Sequence, residues 1–369
     1  MSSWLVGIVV AVALLVGLAL LRRRSRSSDG IGTSSEQPVA TPVEPAAADP
    51  GIEADAASAP GAVESAAVLS VRAETLRSMR EIAFGTSLPP VAVPIRPSDE
   101  LCASVAATLA NICDKPNYAP RRPMQLPKLL QAINDETASR GALSQIIAGD
   151  PALAGNLLRL ANSPFYRHSP EPIESLDRAV AMLGIEGLRS MIAAALMQPV
   201  FRLSGGGFAQ FGEVTWEHSL YAAGAAETHA SMIDSADPFA AQLLALIMGL
   251  ATIVVFSVAR DAALARQKKP DAATIAALID AHAVSVARQV AASWELSERI
   301  DMALAEQPLT PPPSPLGRAL QFGSFIGALA VLRGRGAVDA QTSLQVLESA
   351  GAARPAAERV WMRLGFMPD

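Results

Sequence analysis

Residues 150–166 read DPALAGNLLRLANSPFY, and this stretch decides the fold. Asp150 offers a carboxylate to the free N–H groups of a helix start, and Pro151 suits the first helical position, where its missing N–H costs nothing. Leu153, Leu157, Leu160 and Ala161 follow at i, i+4, i+7 and i+8, which is one face of a helix. Asn162, Ser163 and Pro164 then end it, because the residue before a proline avoids the α region. The pattern predicts a core helix of a helical domain.

Its neighbours are built the same way. Leu126, Leu129, Leu130 and Ile133 space as an amphipathic helix after Pro123, and Leu143, Ile146 and Ile147 as a shorter one. Ser175 can cap a helix carrying Leu176, Ala179, Val180 and Leu183, which Gly184 closes. Leu188, Met191, Ile192 and Leu196 continue beyond it. The order LPKLLQAI, LSQIIAGDPALAGNLLRLANSPFY, IESLDRAVAMLGIEGLRSMI, followed by Trp216-Glu217-His218-Ser219 and later by His282 and Trp294, resembles the HDOD domain, the HD-related output domain of bacterial signalling proteins. The resemblance spans residues 120–310 and implies an all-α, multi-helix HDOD-like bundle.

Composition agrees with helices. Of 369 residues, 50% are hydrophobic but only 5% aromatic, and the alanine and leucine that dominate favour helix over sheet. A formal net charge of −5 gives no broad electrostatic grip on nucleic acid, so none is expected as a partner. Cys102 and Cys113 lie eleven residues apart in one expected helix. That spacing is neither a metal motif nor a disulfide framework, and idle thiols in a reducing cytosol are expected.

Residues 1–24 read as a transmembrane anchor. Trp4 to Leu21 is uninterrupted apolar sequence, about the minimum for a span. Arg22, Arg23, Arg24 and Arg26 follow it, with no basic residue before it, the reverse of a signal peptide's polarity. The positive-inside rule places the arginines and the rest of the chain in the cytoplasm, as a single-pass protein of a bacterial inner membrane. Ala240 to Ala259 is also apolar but is expected to be a core helix. Residues 25–67 are rich in Ala, Pro, Ser, Glu and Asp and are expected to form a disordered, somewhat extended tether.

Residues 68–119 form a helical segment beside the domain. Leu69, Leu76, Met79 and Ala83 line one side of a helix over 68–84, and Arg72, Arg77 and Arg80 another. Packing on the domain or on a partner is favoured over lying on the membrane surface. A helix around Glu100 to Cys113 follows. Residues 311–369 are a proline-rich connector, starting within Pro308 to Pro315 (PLTPPPSP), and a helical extension over Leu316–Leu332 and Thr342–Leu364.

The resemblance raises a question of chemistry. HD-type phosphohydrolases use an adjacent His and Asp, with further His and Asp from other helices, to hold a metal that activates water. This chain has four histidines, His168, His218, His229 and His282, and Asp follows none of them. Thr252 and Ile253 stand where the HD pair would be, in Gly249-Leu250-Ala251-Thr252-Ile253-Val254. Glu306 and Gln307 precede Pro308 where relatives often carry paired histidines. A metal needs lone pairs that an alkyl side chain lacks.

Structural roles are expected for His218, and for His282 on the stripe with Val286, Val290 and Trp294; a ligand-pocket role is the alternative for both. His229, three turns from His218, is too far to share one metal with it. His168 is expected in a solvated loop, and Gly205 to Gly207 in a flexible one. P-loop, GxSxG and CxxC motifs are absent. No catalytic, cofactor-binding or metal-ligating residue and no cofactor is therefore expected. The expected function is a non-catalytic, membrane-tethered signalling or scaffold protein whose partners are cytoplasmic signalling or regulatory proteins. The alternative is a divergent metal-dependent phosphohydrolase acting on a nucleotide or cyclic dinucleotide.

Overall fold

The computed structural model describes residues 66–90, 94, 99–119, 151–163, 208–350 and 354–366, together with positions 166, 173, 187, 190, 191 and 193–195. The expected anchor, nearly all of the tether, the helices over 126–133, 143–147 and 175–183, His168 and Gly205 to Gly207 lie outside these residues. Every regular element among the described residues is helical: α1 (Ala66–Phe84), α2 (Glu100–Leu109), α3 (Pro151–Ala161), α4 (Phe211–Met232), α5 (Pro238–Ala265), α6 (Ala272–Ser293), α7 (Glu298–Ala305), α8 (Pro315–Gly334), α9 (Ala340–Ser349) and α10 (Arg354–Arg363). A short 3₁₀ turn at Ile112–Asp114 follows α2. The domain is an all-α, multi-helix bundle.

Helix starts follow the capping rules. Asp99, Asp237, Asp271 and Asp339 accept hydrogen bonds from the backbone N–H groups of Leu101, Phe239 with Ala240, Thr274 and Thr342. Ser314 does the same for Gly317 at 3.0 Å, with Pro315 in the first turn of α8. Each such cap contributes about 1 kcal/mol.

The described part of the opening stretch is helical as its pattern predicts, while Asp150, Pro164 and the Leu153 side chain lie outside the described residues. α3 runs from Pro151 to Ala161, with Leu157, Leu160 and Ala161 buried. Asn162 does more than stop the helix. Its amide donates to the carbonyls of Leu158 and Ile173 and accepts from the Ile173 N–H, each at 2.8 Å. One side chain thus ends the helix and pins the returning chain.

α4, α5 and α8 form the centre. α5 is buried along most of its length, including Leu243, Leu244, Leu250, Val255 and Phe256. α5, α6 and α8 are long and apolar enough to cross a membrane by length and composition alone, but 83%, 56% and 72% of their apolar windows are buried inside the fold. Their apolar surface is therefore satisfied largely by neighbouring helices, in line with the core role expected of Ala240–Ala259.

α8 crosses α4 at unusually close range. A Cβ at Gly323 would lie 2.5 Å from the Ala222 carbonyl oxygen, and one at Gly327 would lie 2.7 Å from the Ala222 nitrogen. Two glycines four residues apart thus face Ala222 and Ala226 and let the backbones touch. Residues past 310 belong to the same hydrophobic cluster as the rest, through Leu316, Phe325, Ile326 and Leu329, and through Trp361 in α10.

α1 packs on α8 and α4, burying Met79, Ala83 and Phe84. Three boundaries shift from the sequence reading. α1 begins at Ala66, so helix replaces the last residues of the expected tether, and Leu69 sits 36% exposed at its start rather than on the buried side. α2 ends at Leu109, so Cys102 and Cys113 do not share a helix; both thiols are free. The C-terminal extension beyond α8 is two helices rather than one, α9 and α10. The stripe of α6 holds, with Val286, Val290 and Trp294 buried and His282 half-buried at its edge.

Candidate functional site

A cavity of about 320 Å³ opens among α1, α4, α5, α6 and α8. Its walls are mostly apolar. Ala83, Ala222, Ala245, Gly249 and Ala283 all line it, and these small side chains leave the space open where leucines would fill it. Phe211 closes one wall, stacked on Phe256 with ring centroids 3.9 Å apart.

The polar residues of this cavity include those singled out in the sequence. His218 from WEHS, Thr252 and Gln307 all line it. The His218 side chain is half-buried, with Nε2 2.9 Å from the Ser324 carbonyl of α8. A carbonyl only accepts, so Nε2 carries the hydrogen and Nδ1 the lone pair. Desolvation lowers the His218 pKa to about 4, offset partly by the Ser324 hydrogen bond and aided by the Arg80 charge, so the ring is neutral near pH 7.

Thr252 donates its hydroxyl hydrogen to the Met248 carbonyl at 2.9 Å, the usual habit of a threonine within a helix. Ile253, in the second ligand position, is 3% exposed and belongs to the core. Gln307 spends both amide hydrogens on the carbonyls of Ala303 at 2.8 Å and Gly317 at 3.2 Å. The carboxylate of Glu306 accepts from the Ser314 N–H at 3.0 Å. Both residues therefore brace the proline-rich connector from α7 to α8.

His229 and His282 are not among the lining residues. His229 stands on the same side of α4 as His218, against Phe322 of α8 at 4.5 Å between rings. Its Nδ1 is 3.5 Å from Asp234, which Arg318 also holds at 3.0 Å. Burial lowers its pKa, as it does for His282.

The site also contains residues that no local signal marked. Thr215 is 5% exposed and lines the cavity with its hydroxyl-bearing side chain. Arg80 of α1 and Asp280 of α6 form an ion pair at 2.6 Å on the rim, with Asp280 half in solvent. The helical period placed Arg80 off the buried face of α1, but its partner is set by the crossing of two distant helices.

A metal does not fit these residues. No group of three or more His, Cys, Asp or Glu placed to hold one occurs among the described residues. Of the lining donors, the Nε2 of His218 is committed to Ser324 and Asp280 to Arg80.

The all-helical architecture agrees with the family comparison. The chain belongs to the HDOD family, whose domain model matches residues 119–308. Among solved structures it is similar to an HDOD domain protein with unknown function from Geobacter sulfurreducens, with 20% identity, a TM-score of 0.48, and coverage of 71% of this chain and 94% of that one. A protein from Shewanella amazonensis SB2B, provisionally described as a phosphohydrolase, gives 20% identity, a TM-score of 0.47, and coverage of 71% and 96%. A provisionally described signal transduction protein from Marinobacter aquaeolei VT8 gives 17%, 0.41, and coverage of 80% and 66%. No curated protein matches the chain.

Proposed function

We propose that this protein is a non-catalytic signalling or scaffold module, tethered to the bacterial inner membrane and acting through contacts with cytoplasmic signalling or regulatory proteins. The observation that carries this reading is the set of side chains at the HD-type position. Thr252 has given its hydroxyl hydrogen to its own helix, Ile253 is core, and Glu306 and Gln307 hold a connector. An alkyl side chain cannot ligate, the neutral Thr252 hydroxyl binds a hydrolytic metal poorly, and the Glu306 carboxylate is engaged by the Ser314 N–H.

The tether is supported by the apolar run Trp4 to Leu21 and the arginines that follow it. Holding a domain at the membrane raises its effective concentration for partners there. The test is metal content and turnover of the purified full-length protein in detergent micelles, against a panel of nucleotides and cyclic dinucleotides. The expected result is no stoichiometric divalent metal and no hydrolysis. Bound metal with hydrolysis would establish the phosphohydrolase alternative.

A further inference from the structure

We infer that the cavity is a binding site for a small, uncharged ring compound that presents hydrogen-bond donors. The inference goes beyond the scaffold reading, because a binding site is compatible with any partner. It rests on how the lining groups have already spent their hydrogens.

Thr252, Gln307 and His218 each donate to a backbone carbonyl, of Met248, of Ala303 and Gly317, and of Ser324 respectively. What remains for an occupant is lone pairs: the Thr252 oxygen, the Gln307 carbonyl oxygen and His218 Nδ1. Thr215 and Ser324 carry hydroxyls that turn either way. Arg80 and Asp280, the charged lining residues, cancel each other at the rim. The groups of the interior whose hydrogens are fixed thus present a field of acceptors inside an apolar shell, while the two hydroxyls adapt to the occupant.

Such a field selects. A ligand with N–H or O–H groups satisfies it. A carboxylate or phosphate would set its lone pairs against those of Thr252, Gln307 and His218 and leave these groups unpaired, at about 1–3 kcal/mol for each one buried. The volume, about 320 Å³, is at the lower end for small-molecule sites and suits one or two rings. A cavity with this many polar partners is not the dry void that purely apolar packing leaves.

The test uses the full-length protein in detergent micelles and three probes: adenine and aminobenzimidazole as donor-bearing rings, and naphthoate as an acceptor-only anion of similar body. Titration followed by calorimetry and ligand-observed NMR is expected to show saturable binding of a donor-bearing ring and none of naphthoate. Thr252→Val keeps the shape and removes one acceptor, and is expected to weaken binding about tenfold. Ala283→Leu fills the cavity and is expected to abolish it. The inference is overturned by no saturable binding of either donor-bearing ring, by naphthoate binding as tightly, or by affinity unchanged in Thr252→Val. Failure here leaves the scaffold reading intact, whereas metal-dependent hydrolysis would remove that reading and leave the binding result standing.

Discussion

Thr252 and His218 illustrate how one residue settles what a site can do. Both line the cavity, and both direct their hydrogens at backbone rather than at the space in front of them. His218 also makes the domain's stability depend on pH. An unfolded histidine titrates near 6.5, whereas His218 stays neutral down to about 4 because burial and Arg80 disfavour its charge. His229 and His282 are shifted the same way. Between these values the unfolded chain binds protons that the native one refuses, so stability rises with pH across this window and is lost as pH falls through it. The urea midpoint is expected to be level above pH 7 and to drop steadily from about pH 6.5 toward 4. His218→Asn keeps a donor for Ser324 and removes one titration, so its slope should be shallower; identical slopes would show that His218 does not contribute. The types at 218, 252, 253 and 307 were legible in the sequence, because metal chemistry needs particular atoms and their absence can be read. Thr215 and the Arg80–Asp280 pair were not, since their meaning comes from helices that meet only in three dimensions.

Helix α8 carries the lesson at the next scale. Its extent was readable from the proline-rich stretch that ends before it and the apolar run Leu316–Leu332, but the role of its glycines was not. Gly323 and Gly327 look like weak points in a helix until α4 is placed against them. Glycine to alanine ordinarily favours a helix by about 1 kcal/mol. At Gly327 the new methyl would lie 2.7–2.9 Å from Ala222, against backbone that cannot yield. Gly327→Ala is therefore expected to lose about 1–3 kcal/mol despite the better propensity. Gly334→Ala, whose methyl would meet nothing closer than 3.6 Å, should be neutral or gain about 0.5 kcal/mol. Chemical denaturation of the two variants measures the difference; equal effects would mean that the α4–α8 contact does not depend on close approach.

The whole molecule does not end where the family match ends. Residues 119–308 exclude α1 and α8, yet both wall the cavity and both bury apolar faces on α4. A fragment covering 119–310 would expose the surface of α4 that α8 covers, including Ala222 and Ala226. It is expected to unfold in a broad, non-cooperative transition, whereas residues 66–369 should unfold cooperatively, as followed by circular dichroism in urea. A sharp transition for the shorter fragment would make α8 an accessory. The sequence resemblance could not reveal this dependence, because it follows one family's pattern along the chain and says nothing of what later helices press upon.

α1 is at once a wall of the cavity and the first described element of the chain, and its Arg80 closes the rim against Asp280. Site occupancy and the seating of α1 are therefore two faces of one equilibrium. Whatever tilts this helix must change the affinity of the cavity, and by reciprocity an occupant must change the work needed to tilt it, by the same factor. A load applied to α1 and a molecule dissolved around the domain would then act on the same lever from opposite ends.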